Sequence, residues 1–209
     1  MKFFPAICLL LLLASCDEPV PTRTGTEKII PRKTTVVAPA PPNPYMPVDL
    51  SPMDVSYFPP DYPILKTTKK TTAPPVARVI YSRPHKHGRK IFGALLKWGE
   101  PWRLGANEAT EIEFFRPVTI QKKRIRPGRY VLYAIPQEKT WTVVFNSGNY
   151  SWGLKQDASK DLYRFEVPVQ PTTSPVENFT MVFEKASAGA GGNLVIAWDD
   201  TEARLPFQL

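Results

Sequence analysis

The sequence predicts an all-β fold: one antiparallel β-sandwich or jelly-roll-like domain over residues 77–209, behind a disordered, Pro-rich tether. Three observations predict it. Apolar residues beyond position 76 recur with period two rather than 3.6, Pro and Gly punctuate that region at short intervals, and fourteen of the chain's 24 prolines fall between residues 17 and 76.

Taken in order, the predicted strands are Val76 to Ser82, Thr110 to Phe115, Val118 to Gln121, Tyr130 to Ile135, Trp141 to Phe145, Tyr163 to Val169, Phe179 to Phe183, Asn193 to Trp198 and Ala203 to Phe207. In the sixth, Tyr163, Phe165, Val167 and Val169 alternate with Arg164 and Glu166, which presents one face to a core and one to water. Turns are expected at Arg126-Pro127-Gly128-Arg129, at Ile135-Pro136-Gln137-Glu138, at Asn146-Ser147-Gly148-Asn149 and from Ser187 to Asn193. Gln156 to Lys160 is expected to make one helical turn, and no longer helical pattern is present.

The N-terminus reads as an export signal over residues 1–15. Lys2 supplies the positive end, and Phe3 to Leu13 form an apolar run of about a dozen residues, short of the roughly twenty needed to span a bilayer. The run ends in Leu13-Ala14-Ser15-Cys16, which resembles the lipobox of bacterial lipoproteins and implies lipidation of Cys16. Cys8 would leave with the signal, so the mature chain is expected to carry a single, lipid-capped cysteine and no disulfide. The partner implied is a membrane, held through Cys16, and the location expected is the outer membrane, periplasmic or surface-exposed; the Asp17-Glu18 pair after Cys16 is of a kind that lipoprotein sorting machineries read differently in different bacteria. Residues 16–76 then read as linker, because closely spaced prolines exclude helix and interior strand. Within it Tyr45-Met46 and Val55-Ser56-Tyr57-Phe58 form the one apolar cluster able to dock.

The formal net charge is +8, unevenly spread: residues 77–139 hold 14 basic and 5 acidic groups, and residues 140–209 hold 5 and 8. A basic half suits anionic envelope partners rather than nucleic acid, which an exported tethered domain does not meet. Cysteine catalysis is excluded once Cys8 is cleaved and Cys16 lipidated. No Gly-x-Ser-x-Gly elbow and no phosphate-cradling Gly loop are present, and nothing calls for a cofactor.

Two polar segments stand out, residues 82–93 and 100–110. The order Arg83-Pro84 with Gly88-Arg89-Lys90-Ile91-Phe92-Gly93, then Trp102-Arg103-Leu104-Gly105-Ala106-Asn107-Glu108-Ala109-Thr110, then Pro127 to Pro136, a Trp-led strand ending at Asn146, and Trp152-Gly153, resembles the domain-of-unknown-function 2911 family. The resemblance covers residues 77–209 and implies an exported bacterial β-rich domain, with no established activity to carry over. His85 and His87 depart from the family pattern.

Candidate chemistry follows from these segments. His85 and His87 could hold a metal only with a third ligand such as Glu100 or Glu108, in surroundings made positive by Arg83, Lys86, Arg89 and Lys90, so no metal site is assigned. Arg103, Asn107 and Glu108 form a polar bend that either receives a ligand or stitches itself together. Trp102 and Trp152, on loops, are candidates for stacking on a sugar. The reading taken forward is a lipid-anchored binding module for glycan or peptide, using Arg83, Arg89, Trp102, Arg103, Asn107, Glu108 and Trp152. The alternatives are an envelope hydrolase with Glu108 as acid or base, and a purely structural or assembly module. A pocket shared by Arg89, Arg103, Asn107 and Glu108 would favour the first two, and a mutually satisfied network the third.

Overall fold

The computed structural model describes Tyr45 and residues 49–209, which belong to one compact unit, Asn43–Leu209. The expected signal peptide, Cys16 and most of the expected linker lie outside the described residues. Nine strands, β1 (Met53–Phe58), β2 (Ala77–Ser82), β3 (Thr110–Phe114), β4 (Val118–Ile120), β5 (Lys123–Ile125), β6 (Gly128–Pro136), β7 (Thr140–Asn146), β8 (Asp161–Lys185) and β9 (Gly191–Gln208), form one antiparallel sheet in the order β1-β2-β3-β6-β7-β8-β9-β4-β5. Among the described residues helix is confined to α1 (Tyr62–Thr67) and a single 3-10 turn at Ala158–Lys160, the latter where one turn was expected.

The sheet becomes a sandwich because two of its strands are long and change partners. β8 pairs with β7 from Asp161 to Pro168 and with β9 from Val169 onward. Its register slips between Pro171 and Val176 and again before Thr180, and Asp199 of β9, opposite Val176, takes a positive φ of 55°. Prolines lack the ladder N–H and a left-handed residue breaks the pleat, so the chain bends there and folds one half of the sheet over the other. The predicted segments Tyr163–Val169 and Phe179–Phe183 are therefore one bent strand, as are Asn193–Trp198 and Ala203–Phe207. Across the resulting core Phe58 of β1 meets Phe207 of β9 at 4.8 Å between ring centroids, and Tyr81 of β2 meets Phe179 of β8 edge-on at 5.7 Å.

Residues 53–67, placed in the linker by their prolines, belong to the fold instead. The apolar cluster Val55 to Phe58 does dock, as the greater part of β1, against β2 in continuous register from Met53↔Ser82 to Phe58↔Ala77. β1 runs against the usual pattern: Met53 and Val55 are exposed, while Asp54 pairs with Arg83 at 3.1 Å and the Ser56 hydroxyl accepts from the Phe183 N–H at 3.1 Å. Only Phe58 enters the core.

Near one end of the β7/β8 ladder lies a second stabilising feature, a satisfied polar network. The buried Tyr133 hydroxyl donates to Asp161 (2.8 and 2.9 Å), the buried Asn146 amide donates to the same carboxylate at 2.8 Å, and Arg164 pairs with it at 2.8 Å. It spans the register shift after Phe145, where the ladder alone leaves the strands poorly tied. Burial and the adjacent Asp161 carboxylate push the Tyr133 phenol up to about 12. The fold thus prefers the protonated phenol, a contribution present below the ordinary tyrosine value near 10 and lost as pH rises toward 12. Spectrophotometric titration of the wild type should show a late-ionising tyrosine, absent in Tyr133→Phe; identical curves would contradict this network.

Candidate functional site

The 27-residue connection from β2 to β3, residues 83–109, carries both polar segments singled out in the sequence. A loop of this length is usually either functional or held by its own contacts, and here most of it is held. Lys86 forms an ion pair with the buried Asp199 carboxylate, whose other oxygen accepts the Ile91 N–H at 3.1 Å. That carboxylate raises the Lys86 ammonium above its ordinary value, chiefly through their hydrogen bond. The Glu177 carbonyl accepts the Lys86 N–H and its carboxylate accepts the His87 N–H at 2.9 Å. The His85 and His87 rings stack on one another, 5.1 Å apart. Among the described residues no three His, Cys, Asp or Glu side chains are grouped so as to hold a metal ion.

The predicted site residues converge only in part: Arg103, Asn107, Glu108 and Trp152 lie together, while Arg83, Arg89 and Trp102 are engaged elsewhere. Arg83, just beyond β2, ties β1 to β8, pairing with Asp54 and donating to the Phe179 carbonyl at 3.3 Å and the Thr180 hydroxyl at 3.4 Å. Arg89 turns back on its own loop and donates to the carbonyls of Lys86 and His85. Trp102, expected to be a loop residue open to a ligand, is only 5% exposed. It lies within 6 Å of Phe92, Trp141, Phe179 and Trp198, and its backbone exchanges two hydrogen bonds with Ala134 of β6. An extended residue locked to a strand points its ring inward, and a loop assignment from composition does not reveal that bridge.

Arg103 and Asn107 stitch the bend. The Arg103 guanidinium donates to the carbonyls of Asn107 (2.7 Å) and Trp152 (3.3 Å), and the Asn107 amide donates to Asp49 (2.8 Å) and the Ser51 carbonyl (3.3 Å). Two glycines of the family pattern allow this packing. A Cβ on Gly105 would stand 2.9 Å from the Ser82 carbonyl oxygen, and one on Gly153 would meet Ala109 and Arg103 at 3.1 Å, both at positive φ. Asn107 itself holds a φ of 56°, which Asn tolerates better than most residues. Asn107→Gly keeps that conformation but releases Asp49 and Ser51. It should speed proteolysis near residues 49–52 and lower stability by about 1 kcal/mol, as read by limited digestion and urea unfolding.

What the stitched bend leaves open is an adjoining cleft of about 430 Å³ lined by Glu108, Ala109, Glu111, Arg129, Tyr150, Ser151 and Trp152. Of the predicted residues only Glu108 and Trp152 line it. Glu108 is exposed, and Glu111 is paired with Arg129 across the β3/β6 ladder at 3.6 Å. Tyr150 and Trp152 are 88% and 56% exposed, at the mouth of a cleft whose lining is more polar than apolar. The backbone of the loop that carries them is tied at two points: Arg103 donates to the Trp152 carbonyl and the Gln156 amide donates to the Gly153 carbonyl, while Tyr150 takes a φ of 65°. Arg129 and Ser151 gave no site signal in the sequence, since one sits in a turn motif and the other between two aromatics. Glu111 fell inside the predicted strand Thr110 to Phe115, which gave it no site signal.

With this geometry in view, the comparisons with known proteins give one finding: the family model described as protein of unknown function (DUF2911) matches residues 65–207. No curated protein and no solved structure matches the chain. The match covers more than half of the sequence and includes every cleft residue, so the chain belongs to this family.

Proposed function

We propose that this DUF2911 member is a lipid-anchored envelope protein whose sandwich binds a glycan in the cleft between Glu108 and Trp152. The observation that carries the reading is the pair of exposed rings, Tyr150 and Trp152, beside the carboxylate of Glu108 and the Glu111–Arg129 ion pair. A sugar ring offers an apolar C–H face and a rim of hydroxyls; the aromatic rings suit the first, and the carboxylates and guanidinium suit the second. Tying the loop backbone before binding lowers the ordering entropy that association must overcome. A peptide ligand would use its backbone groups, and the cleft wall is side chain rather than open strand edge, so a glycan is the better match.

Hydrolysis by Glu108 draws no support from the cleft. Glu108 stands in solvent, and the other carboxylate lining the cleft is engaged by Arg129. The anchor rests on the lipobox-like Leu13-Ala14-Ser15-Cys16, and among the described residues no helix is long and apolar enough to cross a membrane. Cys16→Ala is therefore expected to move the protein from the membrane fraction to the soluble fraction; unchanged partitioning would remove the anchor from the account.

The binding reading is tested by a glycan array probed with wild type and with Trp152→Ala. A stacked ring contributes on the order of 1–2 kcal/mol, so Trp152→Ala should weaken the selected glycan about ten-fold or more while melting like wild type. An array on which wild type recognises nothing, or on which both proteins bind alike, would refute the reading.

A further inference from the structure

Two stretches of the described chain contain basic residues and no carboxylate, residues 62–99 and residues 116–137. Their cations have different fates. In the first, Arg78, Arg83 and Lys86 find Glu113, Asp54 and Asp199 on other elements, Arg89 and Lys66 satisfy carbonyls of their own segments, and Lys69, Lys70, Lys90 and Lys97, exposed and without an ion pair among the described residues, are divided between the end of α1 and the β2–β3 loop. In the second, only Arg129 has an ion-pair partner. Arg116, Lys122, Lys123, Arg124 and Arg126 make none among the described residues, and all five are exposed. They sit on one device: β4 and β5 form a tight hairpin whose two turn residues, Gln121 and Lys122, have φ of 45° and 66°, the geometry of a type I′ turn. Arg124 and Arg126 lie two apart and so share the solvent face, about 7 Å from one another along the strand. Ile125 is buried between them, and the Lys123 ammonium passes over the Phe165 ring.

β5 is the last strand of the sheet, and basic residues on an edge strand discourage edge-to-edge pairing. One or two charges achieve that. Five unpaired cations on a hairpin of two three-residue strands repel one another, a cost that an external anion would relieve. Three of the five are arginines, whose planar forks match phosphate oxygens in pairs. No large aromatic side chain among residues 116–126 is strongly exposed, so a sugar polymer would find charge there without a stacking face. We infer that the β4–β5 hairpin is a docking surface for the phosphate headgroups of an anionic phospholipid membrane. This goes beyond the glycan reading and does not depend on it. The hairpin would set how the domain lies against the bilayer, where a lipid anchor by itself only keeps the two close.

The test is co-sedimentation of the full chain carrying Cys16→Ser, so that no acyl group contributes, with phosphatidylcholine vesicles and with mixed phosphatidylcholine/phosphatidylglycerol vesicles. Any pull from the apolar N-terminal run is common to all variants. The chain should bind the anionic vesicles far more tightly, and added salt should abolish the difference. A surface cation near an anionic bilayer contributes about five-fold in binding, so Lys122→Gln/Arg124→Gln/Arg126→Gln should bind about a hundred-fold more weakly. Each single change should cost about five-fold, which keeps the test intact if the triple variant folds poorly. Lys97→Gln/Lys139→Gln/Lys155→Gln removes the same charge from exposed sites elsewhere and should stay within a few-fold of the parent. Equal binding to neutral and anionic vesicles, or equal loss in the two triple variants, would overturn the inference. So would retention on a sulfated polysaccharide without vesicle binding.

Discussion

Trp102→Ala should lower the stability of the domain by about 3–5 kcal/mol and its thermal midpoint by roughly 10 °C, as read by scanning calorimetry. The expectation comes from what the ring touches. Trp102 stacks on Trp198 at 5.9 Å, meets Trp141 edge-on at 5.7 Å and Phe179 at 5.0 Å, and so joins the loop before β3 to β7, β8 and β9 at once. Deleting it opens a cavity that stiff aromatic neighbours cannot refill, whereas Trp102→Phe should retain much of the contact. The same substitution separates two roles on the Trp-Arg-x-Gly-Ala-Asn-Glu segment. Were Trp102 a ligand platform, Trp102→Ala would reduce binding and leave the midpoint alone. As a core residue it does the reverse, wherever the folded variant can be assayed.

Asp161→Ala is the second large effect, about 2–5 kcal/mol, because it strands two buried donors together. The Tyr133 hydroxyl and the Asn146 amide both point at this carboxylate, and each orphaned donor costs on the order of 1–3 kcal/mol. Arg164 is half exposed and can turn to water, so its release adds little. The double variant Asp161→Ala/Tyr133→Phe should recover part of the loss, since it removes one of the stranded donors along with its acceptor. Chemical denaturation of the two single variants and the double variant measures that coupling; strict additivity would show that the pair does not act as a unit.

Period-two patterning made the interior of the sandwich legible in the sequence. Tyr163-Arg164-Phe165-Glu166-Val167 can bury one face only as a strand, and its partner strands carry the same signature. The elements that were not legible violate that rule for physical reasons. β1 turns Asp54 and Ser56 toward partners and leaves Met53 and Val55 in water, flanked by the prolines that marked it as linker. β5 follows a two-residue turn of Gln121 and Lys122, where the sequence lacks the Asn-Gly signal that normally announces positive φ. The long β8 and β9 strands read as pairs because Pro171, Pro175 and Asp199 interrupt the pattern where the chain bends without ending.

The candidate site was legible only in part. Glu108 and Trp152 stood out as polar and aromatic residues in irregular segments, and both line the cleft. Arg83, Arg89, Arg103 and Asn107 have the same chemistry, yet each donates to carbonyls or carboxylates of the fold and none lines the cleft. Residue type does not distinguish a donor awaiting a ligand from one already satisfied; the tertiary contacts do. Arg129 reaches the cleft from β6, some twenty residues beyond Glu108, through a strand pairing that only the register β3–β6 discloses.

The most direct test of the central claim is a titration of the isotope-labelled protein with the array-selected oligosaccharide, following every backbone amide by NMR. The account predicts that the shifted amides cluster at Glu108 to Glu111, at Arg129 and at Tyr150 to Trp152, with the His85 to Lys90 loop unmoved. Shifts centred anywhere else on the sandwich, or no shifts at ligand excess, would contradict it.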